Sequence, residues 1–291
     1  MPLLGQDFSR SLSRKVAILG PGLIGGSLGM ALRRGADPWE VSMWTRRAES
    51  MPFAEEVLPG CRISTDLAAA VAGAQLVVLC TSPTAIEQSG GRLAALLPEG
   101  TPVTDAGSVK VRIVGALEQA LGGRFVGAHP MAGSEQTGIA SARADLFDGA
   151  VCILTPTGGT DPKAREAVRQ LWVEAGCRIK EMSPAMHDAA IARISHLPHA
   201  AAAALVHAAL APNRDAAELA GSGYRDSTRI AAGPEALWAE ILLENRKEVA
   251  SGIADLQGNL DAIRLALLSG DRGAIEAFLG AARTLRCEKA P

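Results

Sequence analysis

Val16-Ala-Ile-Leu-Gly20-Pro-Gly22-Leu-Ile-Gly25-Gly-Ser27 is the stretch whose reading decides the fold of this chain. Four apolar residues run into a glycine-rich turn, and Leu28, Ala31 and Leu32 follow at helical spacing. Strand, tight turn and helix in that order form the context in which G-x-G-x-x-G reads as a dinucleotide fingerprint. Gly20 serves the turn, Gly22 lets backbone approach a pyrophosphate, and Gly25 lets helix and strand pack closely. Leu23 and Ile24 open the new helix, whose N–H groups and dipole attract the phosphates.

Working outward, short β-type runs recur at Val16–Leu19, Val41–Trp44, Leu76–Cys80, Pro102–Thr104, Phe125–Ala128, Val151–Leu154 and Arg178–Lys180. Alanine- and leucine-rich segments such as Asp66–Ala72, Thr84–Leu97 and Val109–Leu121 separate them. Continuous apolar strands alternating with helices predict a mostly parallel sheet covered on both faces, an α/β class of Rossmann type. Ligands in such sheets bind beyond the carboxyl ends of strands. Thr81-Ser82-Pro83, Asp105-Ala-Gly-Ser108 and His129-Pro130 stand at those places. We therefore expect a tail at 1–14, a nucleotide-binding domain at 15–182 and an all-helical domain at 183–291, where no strand pattern is found.

In the helical part, Leu237, Ile241, Asn245, Val249, Ile253, Leu256, Leu260, Ile263 and Leu267 keep one apolar stripe. A stripe this long needs a partner, either within the domain or across a dimer. Residues 183–291 are few to bury it alone, so the expectation is a homodimer through the C-terminal helices.

Composition narrows the function. With 48% hydrophobic residues over 291 positions, the chain can bury a sizeable core. Its 29 basic and 31 acidic residues intermix to a net charge of −2, which points to neither nucleic acid nor a membrane surface. The five cysteines (Cys61, Cys80, Cys152, Cys177, Cys287) are odd in number and form no C-x-x-C, so they read as reduced, mostly buried thiols of a cytoplasmic protein. No apolar run reaches spanning length, and residues 1–14 lack the apolar region of a signal peptide.

Cofactor choice turns on the end of the second strand, Val41-Ser-Met-Trp44-Thr45-Arg46-Arg47. An acidic residue there would accept the ribose hydroxyls of NAD, whereas arginine meets the extra phosphate of NADP. Two guanidiniums and no carboxylate favour NADP, with NAD still open and two solvated loop arginines as the plainer account.

Four more segments carry chemistry: Asp105-Ala-Gly-Ser-Val-Lys110, Gly127-Ala-His129-Pro-Met-Ala-Gly-Ser134-Glu135-Gln-Thr-Gly138, Ser195-His196-Leu-Pro-His199, and Gly221-Ser-Gly-Tyr-Arg-Asp-Ser-Thr228-Arg229-Ile. In order with the fingerprint, from about Val16 to Asn245, this combination resembles the prephenate/arogenate dehydrogenases of tyrosine biosynthesis. The resemblance implies a Rossmann domain followed by a helical dimerisation domain. It also implies oxidative decarboxylation of a cyclohexadienyl alcohol with hydride transfer to a nicotinamide cofactor. No chorismate mutase segment precedes the fingerprint and too little chain follows for an ACT domain, so the resemblance is to monofunctional members.

By that resemblance His129 is the residue that takes the substrate hydroxyl proton, a task suited to a histidine near working pH. Ser108 is its companion. Arg229 is the cationic clamp for a carboxylate, with His199 and His196 in support and Ser134 and Glu135 at the substrate. Gly20, Gly22, Leu23, Ile24, Gly25, Thr45, Arg46, Arg47, Thr81, Ser82, Pro83 and Asp105 fall to the cofactor. His196 reads equally as a core residue, and with His199 at i and i+3 as a metal ligand; lacking a further ligand cluster, no metal is expected. Pro198 marks a helix start or kink. Glu135 and Asp188 resemble an ion network with Arg229 over the pocket, or else are solvated carboxylates. Trp238 resembles a family segment near the substrate pocket but is expected in the core, and His187 and His207 on the surface or a helix face.

The alternatives are another Rossmann-plus-helical-domain oxidoreductase, such as a β-hydroxyacid dehydrogenase or pyrroline-carboxylate reductase, and a non-catalytic NADP-binding sensor on the same fold.

Overall fold

The computed structural model describes residues 14–133, 136 and 138–289. β1 (Lys15–Leu19) is buried along its apolar run and ends at Gly20, whose φ of 107° only glycine adopts freely. A side chain there would also strike the backbone oxygen of Cys80, and one at Gly25 would strike that of Gly20. The turn thus requires both glycines, and α1 (Leu23–Arg33) starts directly from Gly22.

The chain then alternates. β2 (Glu40–Trp44), α2 (Met51–Val57), β3 (Arg62–Ser64), α3 (Leu67–Val71), β4 (Leu76–Leu79), α4 (Pro83–Leu96), β5 (Val103–Asp105) and α5 (Val111–Leu121) come first. β6 (Phe125–Pro130), β7 (Val151–Thr155), α6 (Pro162–Glu174) and β8 (Arg178–Glu181) complete one sheet in the order β3-β2-β1-β4-β5-β6-β7-β8. All neighbours pair parallel except β6 and β7, which are antiparallel. The short edge strand β3 escapes the sequence reading, because Arg62-Ile-Ser carries one apolar residue in three. Strand order reverses between β1 and β4, the place where a doubly wound sheet opens a ligand crevice.

Side chains alternate between two cores on the two faces of the sheet. Val16 and Ile18 pack with Leu28, Leu171 and Trp172 on one side; Ala17 and Leu19 pack with Ile86, Ile113 and Leu117 on the other. Each fully buried aliphatic side chain contributes about 1.5–3 kcal/mol.

From Ser183 onward the described structure is helical: α7 (Pro184–Ile191), α8 (Leu197–Leu210), α9 (Ser222–Thr228), α10 (Glu235–Glu244), α11 (Arg246–Ser269) and α12 (Arg272–Lys289). Ser183 caps α7 by accepting from the Met186 N–H, and Pro184 presets its first turn. Between α7 and α8 lies one π-helical turn, Ala192–His196. Pro198 supplies the cause: its ring would clash with the carbonyl four residues back in a regular helix, and the wider turn relieves this.

Two expectations change here. The stripe from Leu237 to Leu267 is not one helix, because the chain breaks at Asn245 between α10 and α11. Asn245 is buried, and its side-chain amide donates to the Asp188 carbonyl at 2.8 Å, which holds the break in place. And Pro184–Leu210 is long and apolar enough, by length and composition alone, to cross a membrane, contrary to the expectation that no run reaches spanning length. That stretch carries His187, Asp188, Arg193, His196 and His199 and packs against α5 and α11. Of the five thiols only Cys152 and Cys177 are buried; Cys287 is exposed.

Candidate active site

α10 lies over the carboxyl ends of the strands, fastened by Glu240 to the Thr84 N–H and by Glu244 to Arg112. Beneath it opens a cleft of roughly 620 Å³. One wall is the fingerprint turn with Gly22, Leu23 and Ile24; the next strand ends supply Thr81, Ser82, Pro83 and Ser108; β6 supplies His129; the helical domain supplies His196, Arg229 and Trp238. Residues scattered over more than 200 positions of sequence therefore converge on one space, at the topological switch point.

The N-terminus of α1 suits an anion. Its first turn carries no acidic residue, and no side chain caps it. The glycines leave room for phosphate to reach backbone N–H groups, so the residues present fit a dinucleotide. Gly20 and Gly25 build this turn without lining the cleft. Thr45 is buried, its hydroxyl 3.0 Å from that of Ser50, while Arg46 and Arg47 are exposed at the end of β2, outside the cleft proper.

Asp105 does something other than the cofactor contact expected of it. It is fully buried, and its oxygens accept from the Gly107 N–H at 2.9 Å, the Ala128 N–H at 3.0 Å and the Lys110 ammonium. Lys110, equally buried, also donates to the Ala128 carbonyl at 2.9 Å. These three bonds turn Asp105 inward, and its side chain does not line the cleft. The pair instead clamps β5 to β6 one residue before His129. Such a pair is well supplied with hydrogen bonds, the condition under which two buried charges are tolerated.

His129 is 8% exposed and borders the cleft. Burial, then His187, Lys110 and His196, hold its pKa well below the ordinary histidine value, so it is neutral at pH 7. Its Nδ1 lies 2.9 Å from Nε2 of His187, and His187 Nδ1 lies 2.8 Å from Oδ1 of Asp188. His187 was expected on a surface, yet it is fully buried. Asp188, read as part of a network over the pocket, sits instead at the start of α5, accepting from the Lys110 and Val111 N–H groups at 2.8 and 2.9 Å. Burial would raise its pKa, but the His187 bond and those two N–H groups outweigh it and the net direction is down. Sequence reasoning missed His187 because it meets His129 across 58 positions. The available signal was a His-Asp dipeptide inside an otherwise apolar helix start.

His196 is fully buried on the π-helical turn, and burial lowers its pKa to about 4. The Asn245 amide that serves the Asp188 carbonyl also meets His196 Nδ1 at 3.3 Å. An amide nitrogen only donates, so Nδ1 accepts and Nε2 carries the proton. That Nε2 is buried with no partner among the described residues, on a residue lining the cleft. His199 stacks on Trp238 at 3.5 Å between ring centres, behind the cleft wall. Trp238 thus joins the wall as well as the core. Arg229 is exposed at the mouth, where a guanidinium can meet a carboxylate. Ser134 and Glu135 lie outside the described residues. Among the described residues no three metal-ligating side chains come together.

Fold and cleft together define a two-domain nicotinamide-dependent oxidoreductase: a dinucleotide turn and a neutral histidine face one cleft closed by a helical domain. Family comparison gives the particular member. Residues 28–181 match the nucleotide-binding domain of prephenate dehydrogenase, and residues 183–281 match its dimerization domain. The chain belongs to the prephenate dehydrogenase family. It is 34% identical to prephenate dehydrogenase of Bacillus subtilis over 86% of this chain and 69% of that one. The crystal structure of prephenate dehydrogenase from A. aeolicus in complex with hydroxyphenyl propionate and NAD+ superposes with a TM-score of 0.88 at 32% identity, covering 96% of this chain and 99% of that one. Synechocystis arogenate dehydrogenase superposes at 0.79 with 31% identity, covering 94% and 99%.

Proposed function

We propose that this chain oxidatively decarboxylates prephenate or arogenate, with His129 as the proton acceptor. The bound nicotinamide supplies the hydride acceptor. His129 takes the hydroxyl proton as hydride leaves the carbinol carbon; the ring carboxylate then departs as carbon dioxide and the ring aromatises. The same proton returns to the oxygen as the phenol forms, so the step balances without a further acid. Arg229 offers its guanidinium to a carboxylate, His196 supports the cleft wall from its buried position, and Ser108, lining the same cleft, steadies the hydroxyl beside His129 in this reading. Aromatisation drives the reaction, so the protein chiefly positions substrate and moves one proton.

One observation carries the reading: a buried, neutral histidine borders the same cleft as the dinucleotide turn. Substituting His129→Asn tests it. Turnover is expected to fall about 10²–10⁴-fold, the usual worth of a general base, while cofactor still binds. Unchanged turnover would remove His129 from the role.

For the cofactor, Arg46 and Arg47 at the end of β2 support NADP, while a relative's complex holds NAD+. The protein is proposed to act as a homodimer in the cytoplasm. Leu260, Leu267 and Leu268 of α11 and Leu279 of α12 are each more than half exposed in the single chain, a surface that a second copy would cover.

A further inference from the structure

We propose that His187 and Asp188 are positioning residues that fix which nitrogen of His129 is bare toward the substrate, an inference that rests on the reading of His129 as proton acceptor. Asp188 is anchored by two backbone N–H groups at the first turn of α5, Lys110 on Oδ1 at 2.8 Å and Val111 on Oδ2 at 2.9 Å. A carboxylate there has acceptors only. The contact between Oδ1 and His187 Nδ1 at 2.8 Å therefore places a proton on that nitrogen.

His187 is fully buried, and burial outweighs its carboxylate neighbour and lowers its pKa. A neutral imidazole has one N–H, so its Nε2 is an acceptor. Nε2 meets His129 Nδ1 at 2.9 Å, a hydrogen bond that needs one proton between two nitrogens. Only His129 can supply it. His129 is thus held as the Nδ1–H tautomer, and its Nε2 is left bare, the starting state a base requires. When it gains the substrate's proton, its bond to His187 becomes charge-assisted and Asp188 offsets the new charge without any proton moving along the chain.

The groups around the imidazole make that support necessary. Burial first, then His187, Lys110 from the β5–α5 connection and His196 from the π-helical turn disfavour a cation at His129, and Asp105 is already paired with Lys110. Asp188 is the carboxylate left to compensate. His129 comes from β6, His187 and Asp188 from α7, and the N–H groups that anchor Asp188 from the start of α5, so the base is set only where the helical domain seats against the sheet domain.

The test compares His187→Leu with His187→Gln in the full chain. Glutamine's carbonyl can accept from His129 Nδ1 while its amide nitrogen faces Asp188; leucine can do neither. His187→Leu is expected to lower kcat about 100-fold with KM within about threefold, and His187→Gln to recover to within about tenfold of the parent. Long-range 1H–15N spectra of histidine-labelled protein, assigned with His129→Asn, should show the His129 proton on Nδ1 in the parent and redistributed in His187→Leu. The proposal is overturned by a proton on Nε2 in the parent, by kcat in His187→Leu within about threefold of the parent, or by equal losses in both variants at unchanged cofactor affinity. Should His187→Leu not fold, the parent spectrum decides alone. Full turnover by His129→Asn would sink the parent reading, and the spectrum would still decide the tautomer.

Discussion

Lowering the pH should destabilise this protein through its buried histidines, and His196 gives the effect a size. In the folded chain its pKa lies at about 4, against 6.5 for the ordinary side chain. Below pH 6.5 the unfolded chain therefore binds a proton that the folded chain refuses, so stability falls as pH falls. The slope approaches about 1.4 kcal/mol per pH unit, and between pH 7 and pH 5 the loss from this one residue is about 2 kcal/mol. His129 and His187 are lowered too and act in the same sense. Asp188 is lowered from an ordinary value of 3.8, so its own contribution is lost only below this window. The assay is urea unfolding at pH 7 and pH 5, at fixed protein concentration and ionic strength, for the parent and for His196→Gln. The variant is less stable at pH 7 but should lose about 2 kcal/mol less on acidification. Equal losses in both would refute the claim that His196 is buried as a neutral ring.

Two further outcomes follow from the exposed surfaces. Arg46→Asp should move the ratio of kcat/KM for NADP over NAD toward NAD by about tenfold or more, since a carboxylate repels the extra phosphate; an unchanged ratio would remove Arg46 as the phosphate reader. The parent should sediment at twice the chain mass, and Leu267→Glu with Leu268→Glu should shift it toward one chain by placing charge in the apolar surface; an unshifted dimer would move the interface elsewhere.

Much of the fold was legible because its signals are local. Val16–Leu19 ends on a glycine that a left-handed turn requires, and Leu76–Leu79 is apolar throughout, so both strands declare themselves within five residues. Arg62–Ser64 gave no such signal, as an edge strand half in solvent needs little apolar surface. The break at Asn245 was hidden for a different reason. Asparagine at one position of a helical stripe looks tolerable, and only the Asp188 carbonyl and His196 opposite it give it a reason to end one helix and begin another.

The same distinction runs through the site. His129, Ser108 and Arg229 follow strand ends or carry motifs, and all three line the cleft. Asp105 also follows a strand end, yet its side chain turns inward to Lys110. Position along the chain places a residue near the cleft, but which way a carboxylate points depends on a buried cation that spacing does not reveal. His187 and Asp188 needed the helical domain to close on β6 and α5 before their chemistry existed.

The most direct measurement is an initial-rate assay of reduced nicotinamide, with prephenate or arogenate as substrate and NADP or NAD as cofactor, for the parent and His129→Asn. The account expects turnover by the parent in at least one combination, strongest with NADP, and its collapse in the variant. A folded, cofactor-binding parent that is silent in all four combinations would contradict it.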